Sequence, residues 1–451
     1  MPDKIFRDPL YNYISIDKDR DGWLLALLDT PEVQRLRRIH QLGVSNITYP
    51  GADHSRLVHS LGVVHLMLQV LHQLEAQTSS EKINRARQPL LAAALLHDVG
   101  HGPFSHLFEP CLGIDHEVWS KKIILDESSA VNRVLRREDE YLPVHVADLI
   151  DKDNNRHPWQ KALLSSQLDV DRVDYLRRDS LFTGAGYGHF DWFRLMTTVQ
   201  LSGDGDEGYD LVWPEKAAMA IEEYIFARYY MYQNVYLHKT TRGFEALLKA
   251  MWNRAHKLRT DGTDTALVPV LADFWSNENQ TPTTSQYLRI EEFTVLSQIQ
   301  AWTSHSDRPL ADLARRFLAR DGLVVIDPPR PVDELTPDYS GWDAALKEIV
   351  MKHGYAEPDM YCLVDTLGGK YRQPYFPEKE HDEQSVRNAI RVIPSGGGNP
   401  VEITQLPGMK RLQAVTQKTP DQRRYYVPKE VRAEALKLAA DQRQQRHRPA
   451  R

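Results

Sequence analysis

The chain has 451 residues, 41% hydrophobic and 26% charged, enough for more than one ordinary domain and for a large core in a soluble globular protein. A formal net charge of −6 gives no whole-chain signature of nucleic-acid binding, and the two cysteines, Cys111 and Cys362, make no disulfide framework and fit a reducing compartment. No run approaches eighteen apolar residues and Met1-Pro2-Asp3-Lys4 carries no signal-peptide core, so a membrane span is excluded and the cytoplasm is the expected location.

Residues 4–16 alternate weakly and read as an extended arm or short hairpin. Asp29-Thr30-Pro31-Glu32 supplies a cap, an early proline and a first-turn acid, which together start a helix. That helix runs to a stop near Gly43, with Val33, Leu36 and Ile39 on one face and Gln34, Arg37 and Arg38 on the polar side. From Arg56 to about Leu74, Leu57, Leu61, Val64, Leu68 and Leu71 recur at helical steps, and His59, Val63, Leu66 and Val70 make a second apolar line. A helix apolar on two lines is mostly buried. After a polar connection, residues 86–98 form a helix of alanine and leucine that ends in His97-Asp98. Further helices are expected at roughly 117–125, 128–137, 143–151 and 158–179. A glycine-rich turn at 184–188 interrupts the pattern, 209–213 reads as a strand, and 215–257 as one or two long helices. Beyond about 260, polar loops separate short helices. Strands are expected at 322–327, 360–364, 389–393 and 423–427, before a helix at 429–442. The tail 442–451 has no core former and reads as disordered. The plan is an N-terminal arm (1–28), a helical catalytic body (29–257) and a smaller α+β C-terminal lobe (258–441), in a mainly α fold class.

The run Ala92–His106 organises the rest. An apolar helix ends in an adjacent imidazole and carboxylate, two glycines follow, and His101 and His106 lie close behind. Imidazole nitrogen with carboxylate oxygen suits Fe, Mn, Zn, Ni or Mg. The plainer alternative is a helix end with a histidine near the C-terminal dipole and glycine as the stop. His59, in a buried helix, is either hydrogen-bonded in the core or bound to something.

This His-Asp pair has His54-Ser55-Arg56-Leu57-Val58-His59 upstream and Asp169-Val170-Asp171-Arg172-Val173-Asp174-Tyr175 downstream. The triple resembles the HD phosphohydrolase superfamily, and closely its dNTP triphosphohydrolase branch, from about residue 4 to about 240 and more weakly to about 330, without the SAM domain of some members. The resemblance implies an HD-domain helical bundle and a divalent metal held by His59, His97, Asp98 and Asp171. Asp169 and Asp174 are expected to face elsewhere, at roughly 200° and 300° around the helix from Asp171. His54 is then placed on a loop beside the site or at the surface.

The resemblance also assigns catalysis to His101, His106 and His116, with Glu109 and Glu117 nearby. Histidine has the pKa for proton transfer near neutrality, and His106 and His116 are favoured for it. Plain polar packing, or a second metal on two of these histidines, stays open. Arg56, Arg172 and Arg228 fall at the phosphate chain, where guanidinium geometry matches phosphate; Arg172 stands in place of a lysine. Gln41, Tyr175 and Asp179 fall at the deoxyribose, Leu42 among the substrate-binding residues, and Tyr236 at the ring that excludes a 2′-hydroxyl. Tyr232 stands where relatives have a base-side histidine, which leaves base preference open. Lys4, Ile5, Asp29, Gln34 and Arg37 would read a guanine nucleotide in an activator site, with Arg194, Lys216, Lys239 and Arg320 at its phosphates; an ordinary amphipathic surface is the alternative. The expected function is metal-dependent hydrolysis of dNTPs to deoxynucleoside and tripolyphosphate by a homo-oligomer, a tetramer, activated by a guanine nucleotide. Two rivals remain. One is an HD phosphohydrolase acting on nucleoside monophosphates, alarmones or cyclic nucleotides. The other is a non-catalytic module that senses nucleotides or binds single-stranded nucleic acid.

Overall fold

The computed structural model describes residues 3–77, 80–107, 109, 115–154, 156–203, 210–275, 282–329, 338–368, 373–377, 389–416 and 421–446. The fold is mainly α, with small sheets, as the hydrophobic periodicity predicts. The chain divides into two compact units. One comprises Met1–Met231, Asn277–Glu292 and Pro374–Gln417; the other comprises Tyr232–Ser276, Phe293–Gln373 and Lys418–Arg451. The boundary therefore falls at 231, not 257, and two later segments return to the first unit. The segment 389–402 shows why: strand Arg391–Ile393 pairs in parallel with strand Asp210–Pro214, in the register Val212↔Arg391.

In the first unit, residues 4–16 form an antiparallel hairpin, Lys4–Asp8 with Asn12–Ile16, whose Ile14 and Ile16 are buried. The core is built on two helices, Arg56–Glu75 and Ser80–Leu96, which pack on each other. The line His59, Val63, Leu66 and Val70 is buried throughout; of the other, Leu57, Val64 and Leu71 are buried and Leu61 and Leu68 half-buried. This helix is long and apolar enough to cross a membrane by length and composition alone, but 61% of the relevant window is buried inside the fold, as in a core helix. Ala92, Ala93 and Ala94 are fully buried, and their small side chains let neighbouring elements approach closely. The helix expected over 158–179 is broken into Pro158–Leu164 and Val170–Thr183. Asp169 is the reason: its carboxylate accepts from the Arg172 amide at 2.7 Å, capping a new helix where a continuous one would have left it no backbone donor.

In the second unit, helix Lys239–Thr260 lies beside a three-stranded antiparallel sheet with the order 324–326, 422–427, 363–367. The last helix, Arg432–Arg446, carries helical structure four residues beyond Gln442, where disorder was expected; 447–451 lie outside the described residues.

Candidate metal centre

Three elements of the first unit converge on one point. Helix 56–75 brings His59. The stop of helix 80–96 brings His97, whose amide still bonds the Ala93 carbonyl at 2.9 Å, and Asp98. The first turn of helix 170–183 brings Asp171. His59 Nε2 stands 3.0 Å from an Asp171 oxygen, 3.3 Å from His97 Nε2 and 3.8 Å from an Asp98 oxygen. His97 Nε2 stands 3.4 Å from Asp98 and 3.7 Å from Asp171. Neighbouring donors around an octahedral ion with bonds near 2.1 Å sit about 3.0 Å apart, a spacing approached by His59, His97 and Asp98, with Asp171 beside both imidazoles. The group His59, His97 and Asp98 could hold one by its donor atoms.

The surroundings orient the donors. His97 shares its Nδ1 hydrogen with the Ala94 carbonyl at 3.0 Å, which leaves Nε2 for the centre. His59 Nδ1 bonds Asp174 at 2.8 Å, the carboxylate–histidine arrangement common behind a metal ligand. Burial opposes charge on His59, yet hydrogen bonds to Asp171 and Asp174 lift its pKa to about 10. Burial likewise opposes charge on Asp171, and hydrogen bonds from His59 and His97 outweigh it and hold that carboxyl below the usual range. Asp98 is also held well below that range, by Arg56, His97 and His101 against its burial. Asp174 thus does not face away from the site. It lies one turn beyond Asp171, only about 60° around the helix, and that i, i+3 relation was the available signal.

Beside the four donors lies a second cluster, His101, Glu109 and His116. The His101 and His116 rings stack at 3.9 Å, and His116 Nδ1 bonds Glu109 at 2.6 Å. Burial, reinforced by Arg56 and His116, holds His101 well below the usual histidine range and so neutral. The side chain of His106 lies outside the described residues.

The loop between the clusters is strained and braced. Phe104 and Ser105 adopt φ of 54° and 55°, the left-handed region that side chains disfavour. Glu292 accepts from the Phe104 and His40 amides at 3.2 and 2.8 Å. Buried Arg35 donates to the His101 and Ile290 carbonyls at 2.7 and 2.6 Å, and Tyr287 donates to the Gly100 carbonyl at 2.5 Å. Sequence reasoning missed all three, because their partners lie far away along the chain.

Other expected residues fall as follows. Arg56 is buried and spent on Asp98 at 2.5 Å and Ser105 at 3.0 Å. Arg172 keeps 26% side-chain exposure and pairs with Asp169. Asp179 is buried and bonds His54 at 2.8 Å; His54, expected beside the site or at the surface, is itself buried and stacks on Phe182. The Tyr175 ring lies 6.5 Å from that of His59. The Gln41 amide bonds the His54 carbonyl at 2.9 Å, with Leu42 next to it, and Arg228 is buried in helix 218–231. Lys4, Ile5, Asp29 and Arg37 are exposed, and Arg37 bonds Gln34 at 2.7 Å. Arg194 donates to the Lys216 carbonyl at 3.3 Å. Tyr236, Lys239 and Arg320 belong to the second unit.

The HD domain family matches residues 56–179. The uncharacterized protein YwfO of Bacillus subtilis is 34% identical over 439 residues, 96% of this chain and 94% of its own. The deoxynucleoside triphosphate triphosphohydrolase of Gallus gallus is 27% identical over 284 residues, 56% of this chain and 45% of that protein. Among solved structures, a phosphohydrolase of Bacteroides thetaiotaomicron is similar with a TM-score of 0.74 and 27% identity, covering 94% of this chain and 99% of that one.

Proposed function

We propose that this chain, which belongs to the HD-domain phosphohydrolase superfamily, hydrolyses deoxynucleoside triphosphates to deoxynucleoside and tripolyphosphate. The observation that carries the reading is the meeting of His59, His97, Asp98 and Asp171 beside the stacked His101–His116 pair. A divalent ion bound there supplies an acidified water and a polarised phosphoryl group. The protein's own groups do the rest. Asp174 and the Ala94 carbonyl engage Nδ1 of the two imidazoles and turn both Nε2 atoms toward the centre. His101, neutral and buried, accepts or relays a proton. His116, bonded to Glu109, gives one to the departing nucleoside oxygen. Arg172, the more exposed guanidinium, can exchange Asp169 for a phosphate of the chain, whereas Arg56 serves Asp98. The dNTP itself is supported by the resemblance to relatives that bear that activity in their names, each matched over about half its length.

One observation favours a second reading, an HD phosphohydrolase on another phosphoester: Asp179, expected at the deoxyribose, gives its carboxylate to His54. Incubation with each dNTP and Mn or Mg, followed by phosphorus NMR, separates the two. Intact tripolyphosphate as first product supports the dNTP reading; orthophosphate or pyrophosphate supports the other.

A further inference from the structure

Behind His59 runs an unbroken line of buried charge. His59 Nδ1 meets Asp174 at 2.8 Å. Arg178 grips Asp174 with two bonds, Nε at 2.8 Å and Nη2 at 3.0 Å. Its remaining nitrogen, Nη1, reaches Asp8 at 2.8 Å. The side chains of Arg178 and Asp174 are wholly buried and that of Asp8 is 4% exposed. Asp8 belongs to the N-terminal hairpin, and its second oxygen accepts from the Leu10 and Tyr11 amides at 2.9 Å each, closing the hairpin's turn. The same carboxylate therefore shapes the turn and ends the line. Helix 56–75 is cut to receive it: a Cβ on Gly62 would lie 1.9 Å from an Asp174 oxygen and 2.4 Å from Arg178 Nη2.

We infer that Asp8 is a positioning residue of the metal centre: through Arg178 and Asp174 it holds His59 ready to ligate, so that a docked N-terminal hairpin is part of a high-affinity site. The inference rests on the metal reading above. The charges alternate along the line. Asp8 neutralises Arg178, which leaves the charge of Asp174 to support the imidazole and through it a cation. With Asp8 gone, Arg178 takes Asp174 for itself, the imidazole donates less, and an unneutralised guanidinium adds positive charge behind the ion.

The test uses the full chain and Co(II) as probe, with affinity read by chelator competition and the ligand field by the visible spectrum. Asp8→Asn keeps the shape and removes the charge. It is expected to weaken Co(II) binding on the order of tenfold and to shift the band. Ser15→Ala, on the hairpin's exposed face, is expected to change neither. Wild-type affinity and spectrum in folded Asp8→Asn overturn the relay while leaving the metal centre standing; no uptake by the wild type overturns both. Hydrogen exchange on the unaltered protein gives the reciprocal reading, whatever the folding of the variant. Co(II) is expected to slow exchange of the hairpin amides at 13–16, and unchanged exchange there with a loaded site overturns the inference.

Discussion

His97 presents one ring nitrogen to a carbonyl of its own helix and the other to the centre. Alanine there, or at Asp171, removes one of four donors and little packing. Both variants are expected to lose metal in an elemental assay and to lose hydrolysis, with far-UV circular dichroism unchanged; full activity in either would defeat the donor set. His40 carries a pH effect away from the donors. Glu292 bonds its ring and raises its pKa against partial burial, with Asp53 adding to the effect. A raised histidine pKa stabilises the fold fully below the ordinary value near 6.5 and ceases to do so as pH climbs through the folded value. Thermal midpoints are therefore expected to fall from pH 6 to pH 9 more steeply in the wild type than in Glu292→Gln; parallel curves would show that the pair does not matter.

Helix His116–Leu125 and the loop after Asp98 approach each other through Gly100, where a Cβ would lie 2.1 Å from the His116 carbonyl oxygen and 2.2 Å from the Ser120 amide nitrogen. Backbone cannot yield as a side-chain tip can. Gly100→Ala is expected to cost about 1–3 kcal/mol of stability and to lower kcat by separating His116 from His101, measured by thermal melting and steady-state kinetics; a neutral variant would mean that the helix moves freely. This loop also shows what was legible in the sequence. The meeting of His59, His97, Asp98 and Asp171 was legible because their elements announce themselves by periodicity and the triple resembles a known pattern. Most helices were readable for the same reason. Glu292, Tyr287 and Arg35 were not, since Arg35 meets Ile290 across 255 positions and no local rule reaches that far. The parallel pairing of 391–393 with 210–214 was hidden likewise. Asp174 was readable and misread: its step from Asp171 is one helical turn, which places it behind the same ligand.

Assembly belongs to the whole molecule. Asp29 and Arg37 lie exposed around helix Pro31–Arg35, Gln34 and Arg37 are already paired, and Ile5 on the hairpin is 56% exposed. Among the described residues no hydrogen bond or ion pair engages the Asp29 carboxylate. A free carboxylate matches the paired N–H groups of guanine, and Arg37 offers a planar cation beside it. We propose that a guanine nucleotide binds here and that its phosphates are held by basic residues of another copy of the chain. A ligand shared between copies stabilises the assembly by mass action, about 2.7 kcal/mol at a hundredfold excess over Kd. Sedimentation is then expected to shift toward a tetramer with dGTP, and activity to rise with it. Asp29→Ala should lose both responses and keep its metal, because the carboxylate lies outside the donor set. A monomer that hydrolyses dNTPs at full rate and ignores dGTP would reduce Asp29 to a surface residue at the end of helix Trp23–Leu28.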